Sequence, residues 1–311
     1  MALYRPRGTL ARVIYAKFHN DNFLENIDTQ QWYSLNCELP QRFQSKFVDL
    51  KQPDPTTVRW LERTKMLSSN IWLHLWHALA RSVLQFFMTQ TDINGLLKRG
   101  SMFILSEEQF CRLLEAGGFQ TRTLAEPITL LDIGAGDGEV SLRVANSVNE
   151  LSGNAVLQVF ATEASWTMRE RLKKLNFNVV TEIRELQNVN LISCLNVLDR
   201  CFDSFKLLED IHTALAPTGR AVIALVLPYM HYVETNTSHL PLRPLLDNSN
   251  KRNGREASFE EEATMFLELL ENCGFRVESW TKAPYLCEGD LRQSFYWLID
   301  LIVVLSKKPT N

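Results

Sequence analysis

From residue 128 onward, short apolar runs alternate with segments of helical periodicity. The runs predict strands over 128–133, 157–162, 190–195, 219–227, 275–281 and 294–306. Between most of them the spacing of apolar residues predicts helices over 138–148, 167–175, 205–216 and 259–273. Strands that alternate with helices make a parallel sheet covered on both faces. Residues 282–292 leave no room for a crossover helix, so the final two strands are expected to be antiparallel. Residues 1–125 read as a mostly helical N-terminal region and lid, and 126–311 as the core. Helical spacing predicts helices over 30–47, 55–66 and 70–88, then a glycine-punctuated loop over 94–103, then a helix with Ser106 as its N-cap. In the 70–88 helix, Trp72, Leu75, Trp76, Leu79, Val83, Phe86 and Phe87 form one face, and His74, His77, Arg81 and Gln85 the other. Such a two-faced helix packs on a core or lies along a partner; it does not span a bilayer.

Composition narrows the class. Of 311 residues, 45% are hydrophobic and 22% charged, which excludes a wholly disordered chain. Lys and Arg number 33 against 36 Asp and Glu, a net charge of −3, so no global basic field exists for nucleic acid. Six scattered cysteines without a C-x-x-C pair argue against a zinc module or a disulfide scaffold and for free thiols in a reducing compartment. Residues 1–20 carry Arg5, Arg7, Arg12 and Lys17, no acid and no continuous apolar run. That suits a basic tail on a cytoplasmic protein and leaves mitochondrion or endoplasmic reticulum open. The sequon Asn236-Thr237-Ser238 is read as a chance match. His74 and His77 lack the companions of a metal site, and no metal is expected.

The strongest chemical signal is Leu131-Asp132-Ile133-Gly134-Ala135-Gly136-Asp137-Gly138-Glu139-Val140, which ends a strand and opens a helix. Its glycines permit a tight turn and close approach of a ligand. The spacing is G-x-G-x-G, and Asp132, Asp137 and Glu139 surround it. A pyrophosphate would be repelled by such acids, whereas a ligand with a cationic amino acid group would not. No Walker-A lysine follows. The loop reads as a site for S-adenosylmethionine, held by Asp132, Gly134, Ala135 and Gly136. Glu163, at the end of the next predicted strand, is placed to accept bonds from ribose hydroxyls.

With these residues in view, the chain resembles class I methyltransferases, and a wider set of segments resembles the methyltransferase-like protein 9 family, also called DREV. The segments are 93–103 (INGLLKRGSMF), 131–140, 161–163, 192–201 (ISCLNVLDRC), 224–228 with 232–234, and 284–290 (PYLCEGD). The resemblance implies a Rossmann-like α/β fold, with a mostly parallel seven-stranded sheet and an antiparallel final strand. It implies a protein-histidine N-pros-methyltransferase that uses S-adenosylmethionine on His-x-His motifs with small x. The product would be 3-methylhistidine, the pros (Nδ1) isomer. The chain departs from the family at Leu186, where an aromatic is expected, and in a shortened connection to Ile192.

In class I methyltransferases the fourth-strand end lies beside the transferring methyl group. Here it reads Ser193-Cys194-Leu195-Asn196-Val197-Leu198-Asp199-Arg200, without the [DN]-P-P-[YF] of many base methylases. A neutral imidazole attacks through one nitrogen while the other keeps its proton. A carboxylate that accepts this N–H fixes the tautomer and stabilises the cation formed. Asp199 is the candidate, with Asn196 orienting donor or ring; the competing role for Asp199 is N-cap of the next helix. The resemblance adds Tyr296 near the substrate histidine, Arg99 and Gly100 with Ser101 as a lid over the donor, and Tyr285 and Glu288 along the peptide channel. Two rival functions stay open: a methyltransferase with another acceptor, such as a small molecule or RNA, and a non-catalytic S-adenosylmethionine-binding protein. A monomer acting on protein substrates is expected, with no nucleic-acid partner and no transmembrane segment.

Overall fold

The computed structural model describes residues 8–84, 90–97, 99–121, 124, 127–153, 155–233, 238–246 and 257–309. Arg5, Arg7, Gln85, Phe86, Phe87, Glu234, Asn236 and Thr237 lie outside these residues.

One eight-stranded sheet organises the chain. Its strands are β1 (Met102–Phe103), β2 (Ile128–Ile133), β3 (Leu157–Thr162), β4 (Asn178–Val179), β5 (Val189–Leu195), β6 (Leu215–Leu227), β7 (Phe275–Glu288) and β8 (Phe295–Lys307). The order is β1-β7-β8-β6-β5-β2-β3-β4. Strands β2 to β6 pair in parallel, whereas β8 runs antiparallel to β6 and β7, and β1 antiparallel to β7. The eighth strand beyond the expected seven is β1, drawn from the segment read as a loop. Strand β7 runs to Glu288, seven residues beyond the predicted end at 281, because its full length pairs with β8.

The helices α1 (Thr9–Glu25), α2 (Gln41–Gln44), α3 (Pro55–Ser68), α4 (Ile71–Leu84), α5 (Gln90–Leu97), α6 (Glu107–Ala116), α7 (Glu139–Ser152), α8 (Trp166–Lys174), α9 (Ser204–Ala214) and α10 (Phe259–Asn272) complete the described elements. Local signals set several of their starts. Asp54 caps α3 with Pro55 at the first helical position, and Ser106 and Gln109 close a reciprocal capping box on α6. Among the described residues, the two larger apolar clusters fill the two faces of the sheet. One lies under α9 and α10, around Phe266, Phe275 and Trp280. The other lies under α6 and α7, around Phe103, Phe110 and Phe295.

The predicted helix over 30–47 is not formed. A single turn at Thr29–Trp32 and the four residues of α2 are all that is helical. Leu39, Phe43 and Phe47 do have helical spacing, but the chain spends this segment along β7 instead. Trp280 N donates to Lys46 O, Val48 N to Trp280 O, and Trp280 Nε1 to Phe43 O. Pairing an otherwise bare edge satisfies backbone groups that a free helix would leave unserved.

Helix α4 lies the other way round from a core-packing reading. Trp72, Trp76 and Leu79 are exposed, and His74 is buried at 4%. Among the described residues, no helix is long and apolar enough to cross a membrane.

Candidate active site

The glycine turn is built where β2 ends. Gly134 N and Ala135 N both donate to Thr162 O at the end of β3, so the turn is stitched across the top of two parallel strands. Gly134 has φ +70°, and a Cβ there would stand 2.7 Å from Val197 Cγ2. Only glycine accommodates both the backbone and that neighbour. Gly136, with φ +56°, faces more open space, where a Cβ would meet Met102 Cε at 3.6 Å.

The acids around the turn divide into two groups. Asp132 is buried, and both its oxygens are engaged internally: Ser193 Oγ donates to Oδ1 at 2.6 Å and Ser141 Oγ to Oδ2. Burial pushes its pKa up to about 6, against the pull of those two hydroxyls. Asp132 therefore braces β2 against β5 and α7 and does not face a ligand, contrary to the expectation from sequence. Asp137 is also turned inward. It accepts from Glu139 N at 3.0 Å and lies 3.5 Å from Arg171 Nη2. The picture of a ring of ligand-facing acids thus reduces to Glu163 and Glu139. Glu163 Oε2 accepts from Gly136 N at 2.8 Å and Oε1 from Ser165 N at 2.8 Å, which sets its carboxylate beside the turn.

The end of β5 brings Asn196 and Asp199 close to a residue that sequence reasoning missed. Asn196 takes φ +57° and is 6% exposed. Its Nδ2 donates to Asp300 Oδ2 on β8 at 2.8 Å. Asp199 is buried, with Oδ2 3.9 Å from Arg200 Nε. Helix α9 is capped by Asp203, whose side chain accepts from Lys206 N at 3.0 Å. Capping is therefore not the role of Asp199. Tyr285 and Cys287 on β7 stand within electrostatic reach of Asp300 and Arg200, and burial raises both their pKa values, Cys287 to about 11.

The lid is made differently from expectation. Arg99 Nε pairs with Glu288 Oε1 at 2.8 Å, while Glu288 Oε2 accepts from Gly100 N at 2.9 Å. The guanidinium also donates through Nη1 to His74 Nδ1 at 3.1 Å and His77 Nδ1 at 2.9 Å, and through Nη2 to Gly289 O. These N–H groups need acceptors, and this turns the polar face of α4 inward. In this structure Arg99 and Gly100 are held on the β7–β8 turn by Glu288, whereas the sequence expectation has the first two over the donor and Glu288 along the peptide channel. Ser101 Oγ donates to Glu139 Oε2 at 2.7 Å, tying the lid to the start of α7. Burial, then the charge of Arg99, lowers the pKa of His74 to about 4.

Tyr296 lies opposite Cys287 in the β7–β8 register. It donates to Asp290 Oδ1 at 2.9 Å near the hairpin tip, four residues along β8 from Asp300, or roughly 13 Å of extended chain. Leu186 follows a short turn at Ile183–Glu185 and packs on the core. Among the described residues, no group of three or more His, Cys, Asp or Glu could hold a metal.

The geometry is that of a strand–glycine turn–helix cradle with an acid on the neighbouring strand. A model of the DREV methyltransferases matches residues 32–307. The chain belongs to the DREV methyltransferase family. It is a transferase that uses S-adenosylmethionine as methyl donor. Solved structures similar to this DREV methyltransferase include a TehB-like SAM-dependent methyltransferase from Corynebacterium glutamicum. That match has 18% identity and a TM-score of 0.36, over 62% of this chain and 87% of the other. A putative type 11 methyltransferase from Sulfolobus solfataricus matches at 15% identity and TM-score 0.34, over 59% and 85%. The CMeT domain of the citrinin polyketide synthase matches at 18% and 0.41, over 65% and 52%. The residues at the turn suit the donor: Gly136 leaves room for close approach, and the Asn196 Oδ1 acceptor is buried without a hydrogen-bond partner among the described residues.

Proposed function

We propose that this DREV methyltransferase is a protein-histidine N-pros-methyltransferase. It acts on Nδ1 of histidine in His-x-His segments with small x and yields 3-methylhistidine. The observation that carries the reading is Asp199: a buried carboxyl beside Asn196, at the end of β5, where Asp203 already serves α9.

When bound, S-adenosylmethionine supplies an electrophilic methyl on a sulfonium. Gly134, Ala135 and Gly136 would bring main chain close to it, and Glu163 would accept from its ribose hydroxyls. Asp199 accepts Nε2–H of the acceptor ring, which leaves the Nδ1 lone pair for attack. As the new N–C bond formed and the S–C bond of the sulfonium broke to leave a neutral thioether, the same carboxylate would stabilise the positive charge that spreads over the ring and then pass the Nε2 proton to solvent. No strong base is needed before transfer, since imidazole is largely neutral near physiological pH. A lysine amine would need its proton removed first.

The test is mass spectrometry of a His-Ala-His peptide with S-adenosylmethionine, beside single-His and Ala-Ala-Ala controls and the Asp199→Ala enzyme. One methyl on Nδ1, lost in the variant, is expected. Donor binding by calorimetry without transfer to the peptide would overturn the histidine assignment and favour another acceptor or a binding protein.

A further inference from the structure

Asp300 is a carboxyl in the middle of an apolar sheet. It lies on β8 between Val226 of β6 and Ala283 of β7, and it is fully buried. Removing such a group from water is costly unless it is well partnered. Its partnering is incomplete: Oδ2 accepts from Asn196 Nδ2 at 2.8 Å, and Oδ1 has no hydrogen-bond partner among the described residues. A leucine would satisfy the same space more cheaply, so the acid calls for a functional account.

Asn196 supplies one. An amide has a donor end and an acceptor end of nearly the same shape, and the two are exchanged by a simple flip. Here the donor end is held by Asp300. The acceptor end, Oδ1, is buried and takes no hydrogen bond from the described residues. Both partners expected at this place, a sulfonium donor with its ammonium and a ring that becomes cationic, present positive charge or N–H groups. They suit a carbonyl oxygen and repel an NH2.

We propose that Asp300 is a positioning residue, a buried carboxyl that pins the Asn196 amide so that its carbonyl oxygen, not its NH2, faces the reacting groups. The proposal rests on the reading of Asn196 and Asp199 as the methyl-transfer end of the site. Asp199 and Arg200 act on Asp300 from the segment after β5, and Tyr285 and Cys287 face it from β7. Burial, reinforced by the charge of Asp199, raises the Asp300 pKa to about 8, so its protonation state changes within an accessible range.

The experiment starts on the full chain without donor. The side-chain NH2 resonances of Asn196, assigned by their loss in Asn196→Ala, are followed against pH in proton–nitrogen spectra. They are expected to shift with a midpoint well above the usual carboxylate range, and to lose that titration in Asp300→Asn and Asp300→Leu. Rates on the His-Ala-His peptide and calorimetric affinity for S-adenosylhomocysteine are then measured on the same variants. Asp300→Asn keeps a carbonyl that can accept from Asn196, so its kcat should fall only by about 3–10-fold, while Asp300→Leu falls by about 30–300-fold. Neither loss should track the melting temperature, which Asp300→Leu should hold or raise. An Asn196 signal unaffected by substitution at 300 overturns the proposal, as does a kcat loss equal in both variants and proportional to lost stability. If wild type does not methylate the peptide, the histidine reading fails separately; the Asn196 spectra still decide whether Asp300 sets the amide.

Discussion

Gly134→Ala tests how closely the glycine turn is coupled to the end of β5. The left-handed backbone at φ +70° costs an alanine about 1–2 kcal/mol. The new methyl would stand 2.7 Å from Val197 Cγ2, and Val197 has a branched, stiff side chain that cannot swing aside. Overpacking of this kind adds about 1–3 kcal/mol. The substitution should therefore destabilise by roughly 2–5 kcal/mol in urea unfolding. Val197→Ala removes the obstructing methyls and by itself should cost about 1–1.5 kcal/mol of lost burial. In the double variant the clash is gone and only the backbone strain and that burial remain. The two substitutions should then be non-additive by at least about 1 kcal/mol, with the double variant better than the sum. Because Val197 follows Asn196, affinity for S-adenosylhomocysteine should fall in Gly134→Ala and recover in part in the double variant. Additivity within about 0.5 kcal/mol would refute the contact as the cause.

Glu163→Gln removes the charge from the acid beside the turn and should weaken S-adenosylhomocysteine by about 10–100-fold in calorimetry, the value of one or two charge-assisted hydrogen bonds; unchanged affinity would remove Glu163 from the ribose site. Asp199→Asn should fold normally yet lose at least about 10²-fold in transfer, since an amide neither selects the ring tautomer nor offsets the new charge; full activity would end the catalytic reading. The lid should loosen in acid. His74 has its folded pKa lowered to about 4, so the neutral ring's contribution is complete above about pH 6.5 and is lost as pH falls from there toward 4. Hydrogen exchange along α4, corrected for intrinsic chemistry, should be faster at pH 5 than at pH 7.5; equal protection would show that the Arg99–His74 contact does not hold the helix.

The switch from strand to helix at 131–139 was legible because local rules and tertiary structure agree there: apolar run, glycines, then helical spacing. Glu163 was legible because parallel pairing puts successive strand ends side by side. Arg99, His74 and His77 were misplaced because apolar spacing names two faces of α4 without saying which turns inward. Arg99 decides that, and its partner Glu288 is 189 positions away. The 30–47 segment failed for a similar reason, since the claim of the β7 edge on residues 46–48 leaves no local trace. Asp300 does leave a trace in the sequence. In Leu298-Ile299-Asp300-Leu301-Ile302-Val303-Val304 it is the one acid inside a continuous apolar run. An ionisable group in a strand buried on both faces is costly enough to mark a site.

The sheet closes at each end with a strand of two residues, β1 on one side and β4 on the other. Where β1 stops, Lys46 and Val48 take over the margin of β7, and beside β4 the Asn178 side chain donates to Val159 O. Little ladder is left for a second chain to extend. Encounters with peptides and other proteins are thereby steered to side-chain surfaces, and main-chain templating is discouraged. Shortening the 46–48 segment would open a long apolar strand to copies of itself, so protection from self-association at this margin depends on a stretch of chain far from the glycine turn.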